Sequence, residues 1–354
     1  MSNTSAKAGF LRIIVTLLLS LGIGALFIVA IGENPIDAYA ALFKGAFDGK
    51  LRLGTTLAGF TPLLLASVAF AVAAKAGAFN VGLEGQIFLG AIASAYIGIN
   101  WTFLPKPLLF LACFAGGALV GAFWGWIPAA LKAYYNVSEV CSTILMNTVA
   151  LYVTSYLVSG PMSAGTANAQ SHPVTVTLYQ FMKPSSANIG LFIAIVLVLA
   201  VIFMLYKTTL GYKIRTVGTN PDHADYVGIN SKRVFIGSMM LSGALCGIAG
   251  CIEVLGVHGY FLNNFATGMG GNGMLAALIV KNNVVASPFM AFFLSVLKAG
   301  AMGMQQSTGV PKALVDTITA VFIIIATMET LIQFKAKAKK KAETAEMKKK
   351  AKAV

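Results

Sequence analysis

The sequence has 354 residues, of which 57% are hydrophobic and 11% are charged. Soluble domains average about 45–50% apolar and about 25% charged residues, so this composition predicts a membrane protein with many spans and argues against a soluble enzyme. The net charge of +14 does not indicate a nucleic-acid partner, because nine lysines lie within residues 335–354 and the other basic residues are scattered near predicted helix ends. We expect this basic tail to be solvated and cytoplasmic; attraction to anionic membrane lipid is the alternative.

The apolar segments predict an all-α polytopic membrane protein with about ten transmembrane helices, two of them interrupted, in a domain formed by residues 1–334. The first helix, 9–32, exceeds the about 7–15 apolar residues of a signal peptide, and we expect it to be retained. Residues 33–54 form an exterior amphipathic segment, which is either a helix along the membrane surface or a loop helix on the bundle. The core, 55–334, holds the other spans, predicted at 55–74, 79–99, 108–131, 140–158, 189–206, 234–257, a short segment ending at 280, 284–302 and 313–332.

The orientation follows from the number of spans and the distribution of basic residues. An even number of spans places both termini on one side of the membrane. Loop 207–233 is the most charged internal loop, and the positive-inside rule therefore predicts cytoplasmic N- and C-termini.

The span at 79–99 begins with polar residues inside a glycine-rich stretch. Its apolar run, 87–99, is too short for a bilayer, which needs roughly 20 residues. The span must therefore start near residue 79, which draws Asn80 and Glu84 into the membrane, with Gln86 close behind. Glycine disfavours a continuous helix here. Broken helices at membrane depth are typical of transport sites, whereas the structural alternative is that these polar groups only satisfy each other and the freed backbone.

A second interruption is predicted in the other half of the chain. Residues 259–281 hold several glycines and the amides of Asn263, Asn264 and Asn272 before a short apolar segment. Interrupted helices in corresponding halves indicate a transport site. The alternative is a glycine-rich exterior loop.

The fourth predicted span, 108–131, is rich in glycine. Gly117 and Gly121 form a Gly-x-x-x-Gly pair, a spacing that favours close packing of membrane helices. Such pairs also occur by chance in apolar helices, so the pattern indicates a packing face without identifying its partner.

The inner loop 212–232 contains a helix-start signal at Asn220-Pro221-Asp222, with proline at the first helical position and an acid in the first turn. A short helix over 224–227, stopped at Gly228, would give a soluble partner something to hold. A solvated loop is the alternative.

The other reactive side chains indicate no catalytic or metal centre. The four cysteines lie in apolar stretches and no histidines cluster, which favours buried thiols over disulfides or metal ligands. No P-loop motif is present, so the chain does not itself hydrolyse ATP in that way. Glu253 and Lys298 are predicted near outer span ends, where long side chains reach water.

These motifs together resemble the permease subunits of bacterial ABC importers, in the branch that covers ribose and branched-chain amino acid systems, and within it the nucleoside and simple-sugar subgroup. The resemblance covers roughly 55–334. It is carried by residues 77–86 (Gly-Ala-Phe-Asn-Val-Gly-Leu-Glu-Gly-Gln), 138–147, 215–229, 242–250 and 309–311. The connector at 259–283 and Lys298 depart from the subgroup's pattern.

The resemblance implies a bacterial, multi-pass cell-membrane subunit that transports nucleosides, with purine nucleosides expected, by alternating access; ribose or another simple sugar is the alternative substrate. It implies three partners: a second homologous permease in a heterodimer, a cytoplasmic ABC ATPase and an extracellular substrate-binding lipoprotein. No cofactor is implied. The expected substrate pathway consists of Asn80, Glu84, Gln86, Asn147 and Asn272. The expected ATPase-docking residues are Gly218, Asn220, Pro221, Asp222, Ala224, Tyr226 and Gly228.

Two other classes of membrane protein would need features that the sequence does not supply. An ion-coupled secondary transporter needs an intramembrane carboxylate that changes protonation; Glu84 could serve, but no second acid is evident at that depth. An intramembrane enzyme acting on lipid would need a His/Asp or Ser/Lys constellation, and none is found.

Overall fold

The computed structural model describes residues 21–309, 311, 313–318 and 320–321. The first part of the predicted helix 9–32, most of the predicted last span and the basic tail 335–354 lie outside the described residues. Within them the chain is all-helical. The described helices are α1 (Leu21–Ala30), α2 (Pro35–Phe47), α3 (Gly49–Lys75), α4 (Leu83–Asn100), α5 (Lys106–Tyr135), α6 (Glu139–Ser159), α7 (Gly190–Lys207), α8 (Thr209–Thr219), α9 (Pro221–Tyr226), α10 (Ser231–Ile252), α11 (Met269–Ile279) and α12 (Ser287–Thr308).

Six of the described helices are long and apolar enough to cross a membrane, or seven spans exist if α1 and α2 count as one span bent by 115°. The six are α3, α5, α6, α7, α10 with its continuation to His258, and α12. Two predicted spans are not among these six helices. Helix α4 is less apolar because its first turn contains polar residues, and α11 is short, with only 11 residues.

The predicted exterior segment 33–54 is not one helix. Helix α2 ends at Phe47, the chain turns at Gly49, whose φ is +76°, and α3 starts there rather than at residue 55. Glycine adopts this left-handed conformation without steric cost, so it marks the boundary that the amphipathic pattern did not reveal.

The chain divides into two compact units. Among the described residues, the smaller unit contains 21–44 and those from 300 to 321, and within it the Tyr39 hydroxyl donates a hydrogen bond of 2.5 Å to the Leu21 carbonyl oxygen. The larger unit, residues 45–299, contains both predicted interruptions. Helix α10 packs there against α5, α4 and α3, and α11 packs against α3.

Glycines set the distance between α10 and its neighbours. A Cβ atom on Gly247 would collide with the carbonyl oxygen of Gly117 in α5, and one on Gly243 would collide with that of Gly121. Gly90 of α4 meets the backbone of Gly247 in the same way. The Gly-x-x-x-Gly prediction for Gly117 and Gly121 is therefore confirmed, and its partner is a matching pair on α10.

Replacing Gly247 by alanine should destabilise the helix bundle, because the added methyl group meets backbone that cannot move aside. Overpacking of this kind costs about 1–3 kcal/mol. Gly237→Ala is the matched control on the same helix, since a Cβ there has nothing within 4 Å. Thermal unfolding in detergent should show a lower midpoint for Gly247→Ala alone. Equal midpoints for the two variants would contradict the close approach.

Candidate functional site

The chain between α3 and α4 is not helical. Gly77 turns it with a φ of +83°, and Asn80 lies in the irregular stretch that follows, fully buried. The Asn80 amide donates hydrogen bonds to the Gln86 side-chain oxygen (3.1 Å) and to the Ser242 hydroxyl of α10 (2.9 Å). Its oxygen accepts from the backbone N–H of Gly82 at 3.0 Å. The predicted break is therefore present, and its first polar residue fixes it to another helix.

Gln86 is as buried as Asn80, with 1% exposure against 0%. Its amide nitrogen donates to the Asn80 oxygen at 3.3 Å, so the two side chains pair with each other. Burial costs little free energy when a polar group is hydrogen-bonded. In this conformation Asn80 and Gln86 are buried, hold the backbone of the break in place through hydrogen bonds and do not contact solvent.

Asn147 of α6 holds the other side of the same break. Its amide nitrogen donates to the Val81 carbonyl oxygen at 2.9 Å, and its oxygen accepts from the Gly85 N–H at 2.8 Å. The first N–H groups of a helix lack partners within that helix, and Asn147 of α6 provides the acceptor for one of these groups in α4. Asn147 is half-buried, so unlike Asn80 it reaches the surface of the chain.

Glu84 connects the two interrupted helices. Its carboxylate accepts a hydrogen bond from the backbone N–H of Gly268 at 2.9 Å, at the start of α11. An anion is stabilised at the N-terminus of a helix by the exposed N–H groups and the helix dipole. The Lys298 ammonium of α12 adds a favourable electrostatic interaction.

Asn272 completes this junction from the side of α11. Its amide donates a hydrogen bond to the Gly268 carbonyl oxygen, on the same residue whose N–H binds Glu84. A Cβ on Gly270 would press against the Glu84 backbone. Glycine is therefore needed for this close approach, and the two interruptions predicted from separate halves of the chain meet here.

Sequence reasoning misplaced Glu253, which was expected to reach water at an outer span end. The end of α10 continues as a π-helix, Glu253–His258, and Glu253 is only 3% exposed. Its carboxylate lies 3.9 Å from the His258 ring nitrogen. Single π-turns often mark functional sites, but no sequence pattern announced this one. Across the described part of the chain, no cluster of His, Cys, Asp and Glu could hold a metal ion.

The predicted short helix of the inner loop is confirmed, with bounds Pro221–Tyr226 rather than 224–227. The Asn220 side chain accepts from the His223 N–H at 3.0 Å and so caps the helix start. Gly228, with a φ of +83°, ends the turn.

The seven predicted docking residues divide into surface and packing positions. Tyr226 is 92% exposed, and Asp222 is exposed as well. Ala224 is fully buried, so it anchors α9 rather than offering a contact. Gly218 is required by packing, because a Cβ there would collide with the Lys75 carbonyl oxygen of α3.

Asp225, which is not one of these seven residues, ties α9 to α10. Its carboxylate accepts hydrogen bonds from the Ser231 N–H (2.8 Å) and the Ser231 hydroxyl (2.7 Å). These bonds, the backbone one first, and the nearby Lys232 ammonium lower the pKa of Asp225 below its ordinary value. The ionised carboxylate is therefore the form that fastens the loop.

Residues 52–327 match the family described as branched-chain amino acid transport system / permease component. The chain belongs to this family. It is 34% identical over 343 residues to a nucleoside ABC transporter permease protein of Lactococcus lactis, covering 92% of this chain and 93% of that protein. It is 33% identical to a glucose ABC transporter permease protein of Haloferax volcanii, covering 88% and 85%. It is 32% identical to a guanosine ABC transporter permease protein of Bacillus subtilis, covering 91% and 94%.

The permease is thus a multi-pass membrane component of an ABC importer and a non-catalytic transport subunit. Such a subunit implies an ATPase and a substrate-binding protein as partners. The matched residues include the motifs at 77–86, 138–147 and 215–229, which confirms the predicted resemblance.

Asp225→Ala should loosen α9 from α10 at neutral pH. A carboxylate whose pKa is lowered stabilises the folded arrangement fully above its ordinary pKa of about 3.9, and this contribution is lost only as the pH falls through the lowered value. Hydrogen–deuterium exchange of residues 221–231 should therefore be faster in Asp225→Ala than in the wild type, by the same factor from pH 8 to pH 5. The control is His223→Ala, which removes another exposed side chain of α9 and should leave exchange unchanged. A wild-type segment that loses protection between pH 8 and pH 5 would contradict this assignment.

Proposed function

We propose that this permease carries nucleosides, and purine nucleosides in particular, into the cell as one half of a heterodimer with a second, homologous permease. Two of the three relatives described above are named for transport of a nucleoside or guanosine, and the third for glucose. The sequence identities to these three relatives are too similar to decide between a nucleoside and a sugar as substrate. We therefore base the choice of a nucleoside on the surface of α6.

Helix α6 is the least buried of the candidate spans, with only 17% of its apolar stretch covered by the chain. It is also one of the two least apolar, whereas α7 is the most apolar. Its exposed surface carries Thr148, Tyr152 and Tyr156 at intervals of four residues, and the two tyrosines are 69% and 70% exposed. We call these three residues the α6 stripe. Exposed aliphatic side chains such as Leu145 (67%) flank it, and this mixture of polar, aromatic and aliphatic groups suits a second subunit beside a water-filled path.

The chemistry of the α6 stripe and its neighbours suits a nucleoside. Aromatic rings stack on bases, a contact worth about 1–3 kcal/mol per base in nucleic-acid complexes. Asn147 lies on the same helix and touches the turn that carries Glu84. Amides and a carboxylate can bind ribose hydroxyls and base edges, which would otherwise lose their partners on leaving water.

Within this proposal the predicted pathway residues have two roles. Glu84, Asn147 and Asn272 are half-buried and form the junction of the interrupted helices, where substrate passes. Asn80 and Gln86 act behind them by holding the break in shape. Transport alternates between outward and inward openings as the two permeases move against each other.

The finer topology belongs to the same proposal. Ten spans, with α4 and α11 counted among them and both termini in the cytoplasm, place α8 and α9 on the inner side. The ATPase then grips α9 through Asp222 and Tyr226, and a lipoprotein delivers substrate from outside. A large aromatic side chain that is almost fully exposed is a frequent hot spot of protein interfaces.

ATP-driven uptake by the complete transporter in proteoliposomes tests the substrate. We expect saturable uptake of guanosine and adenosine, with ribose and glucose far slower. Tyr152→Ala should lower kcat/KM for guanosine by about fivefold or more, the factor that corresponds to a stacking contact of about 1 kcal/mol. The control is Tyr179→Ala, which removes an equally exposed tyrosine (68%) outside the stripe. Uptake of a sugar without nucleoside uptake would replace this proposal with the sugar permease.

Tyr226→Ala should weaken the ATPase contact. We expect less ATPase to co-purify with the permease and substrate-stimulated ATP hydrolysis to fall, because the main apolar contact of α9 is lost. Tyr212→Ala is the control, since Tyr212 lies on the neighbouring helix α8 and is 58% exposed. Normal co-purification and ATP turnover in Tyr226→Ala would remove α9 from the docking surface.

A further inference from the structure

A groove of about 660 Å³ runs between α7, α8 and α10 on the surface of the larger unit. Its walls are apolar and include Leu197, Val201 and Met204 of α7 and Leu241, Leu245 and Ile248 of α10. Helix α7 packs on α3 and α8, and α10 packs on α3 and α8 as well as on α5 and α4. The groove is the space left between α7 and α10 above these shared neighbours.

Two cations stand at one end of this groove, Lys213 from α8 and Arg233 from the first turn of α10. Neither forms an ion pair within the part of the chain that the structure describes. Their neighbours are engaged differently: Arg215 lies over the Tyr206 ring at 5.5 Å and Lys232 over the Tyr134 ring at 5.7 Å. At this end of the groove, Lys213 and Arg233 are therefore available to bind an anion from outside.

The dimensions match a lipid in one leaflet. From Arg233 to Ile248, α10 rises by about 22 Å at 1.5 Å per residue. Half of the about 30 Å hydrocarbon core is about 15 Å, which leaves a few ångströms for a headgroup at the cationic end. Small residues keep the groove open, and a Cβ on Gly237 would meet nothing within 4 Å.

The surroundings favour lipid over a protein as the occupant. Helix α7 is the most apolar candidate span, and its outer residues Val196, Leu199 and Phe203 are 64%, 60% and 64% exposed. The α6 stripe belongs to a helix that packs on α4 and α5. The face proposed for the second permease and the face with the groove are thus formed by different helices.

We propose that this groove is a binding site for an anionic phospholipid, with the phosphate of its headgroup between Lys213 and Arg233 and an acyl chain along α7 and α10. This function goes beyond transport. Because α8 leads directly into α9, the bound lipid holds the base of the docking helix against α10.

Native mass spectrometry of the complete transporter, titrated with dioleoyl phosphatidylglycerol or dioleoyl phosphatidylcholine, tests the site. We expect the wild type to bind phosphatidylglycerol more tightly. The double variant Lys213→Gln/Arg233→Gln should raise the apparent Kd for phosphatidylglycerol by about 30-fold, which corresponds to about 2 kcal/mol for two cations at an anionic surface. Its matched control is Lys207→Gln/Lys281→Gln, which removes two exposed lysines outside the groove.

Gly237→Phe tests the open space of the groove, because a ring placed there obstructs it one turn beyond Arg233 while both cationic side chains are kept. It should weaken binding of phosphatidylglycerol while the thermal midpoint stays that of the wild type. Equal affinity of the wild type for the two lipids, or undiminished phosphatidylglycerol binding in the double variant, would overturn the proposal. Binding of neither lipid would also overturn it, since a groove filled by protein gives that result.

Discussion

The larger unit depends on the close approach of three helix backbones at glycine. Without the hydrophobic effect between membrane helices, van der Waals packing and interhelical hydrogen bonds hold them together. Gly243 and Gly247 of α10 lie directly against α5, and Gly247 also meets α4. Ser242 precedes the first of these glycines, so the contact that joins the backbones also brings its hydroxyl to Asn80. The same helix crossing therefore provides both the close backbone packing and the hydrogen bond that satisfies buried Asn80.

The break before α4 is a junction rather than a defect. Three polar groups around it find partners from elsewhere in the fold: Asn80 bonds Ser242 of α10, the Gly85 N–H bonds Asn147 of α6, and Glu84 bonds the Gly268 N–H at the start of α11. A buried polar group without a partner costs about 1–3 kcal/mol, so these bonds are what allows non-helical backbone to persist inside a membrane protein. The same bonds place the half-buried polar groups of α4, α6 and α11 next to each other.

Local signals predicted the elements of this architecture well. Glycine and asparagine near short apolar runs indicated both interruptions, and Asn220-Pro221-Asp222 indicated α9. The roles of individual side chains were harder to predict, because they depend on partners far away in sequence. The bond from Asn80 to Ser242 joins residues 162 positions apart, and no local pattern shows that it removes Asn80 from solvent. Glu253 is likewise buried at the start of a π-turn, although its residues look like an ordinary helix end in the sequence.

The bond between Asp225 and Ser231 has a mechanical consequence. It fastens α9 to the first turn of α10, and α10 cannot slide past α4 or α5 without driving backbone into backbone at their glycines. A displacement of α9 would therefore be transmitted to three helices together. The wider π-turn at Glu253–His258 is then the part of this helix that can deform. A movement that begins at α9 would be taken up there, at the opposite end of α10.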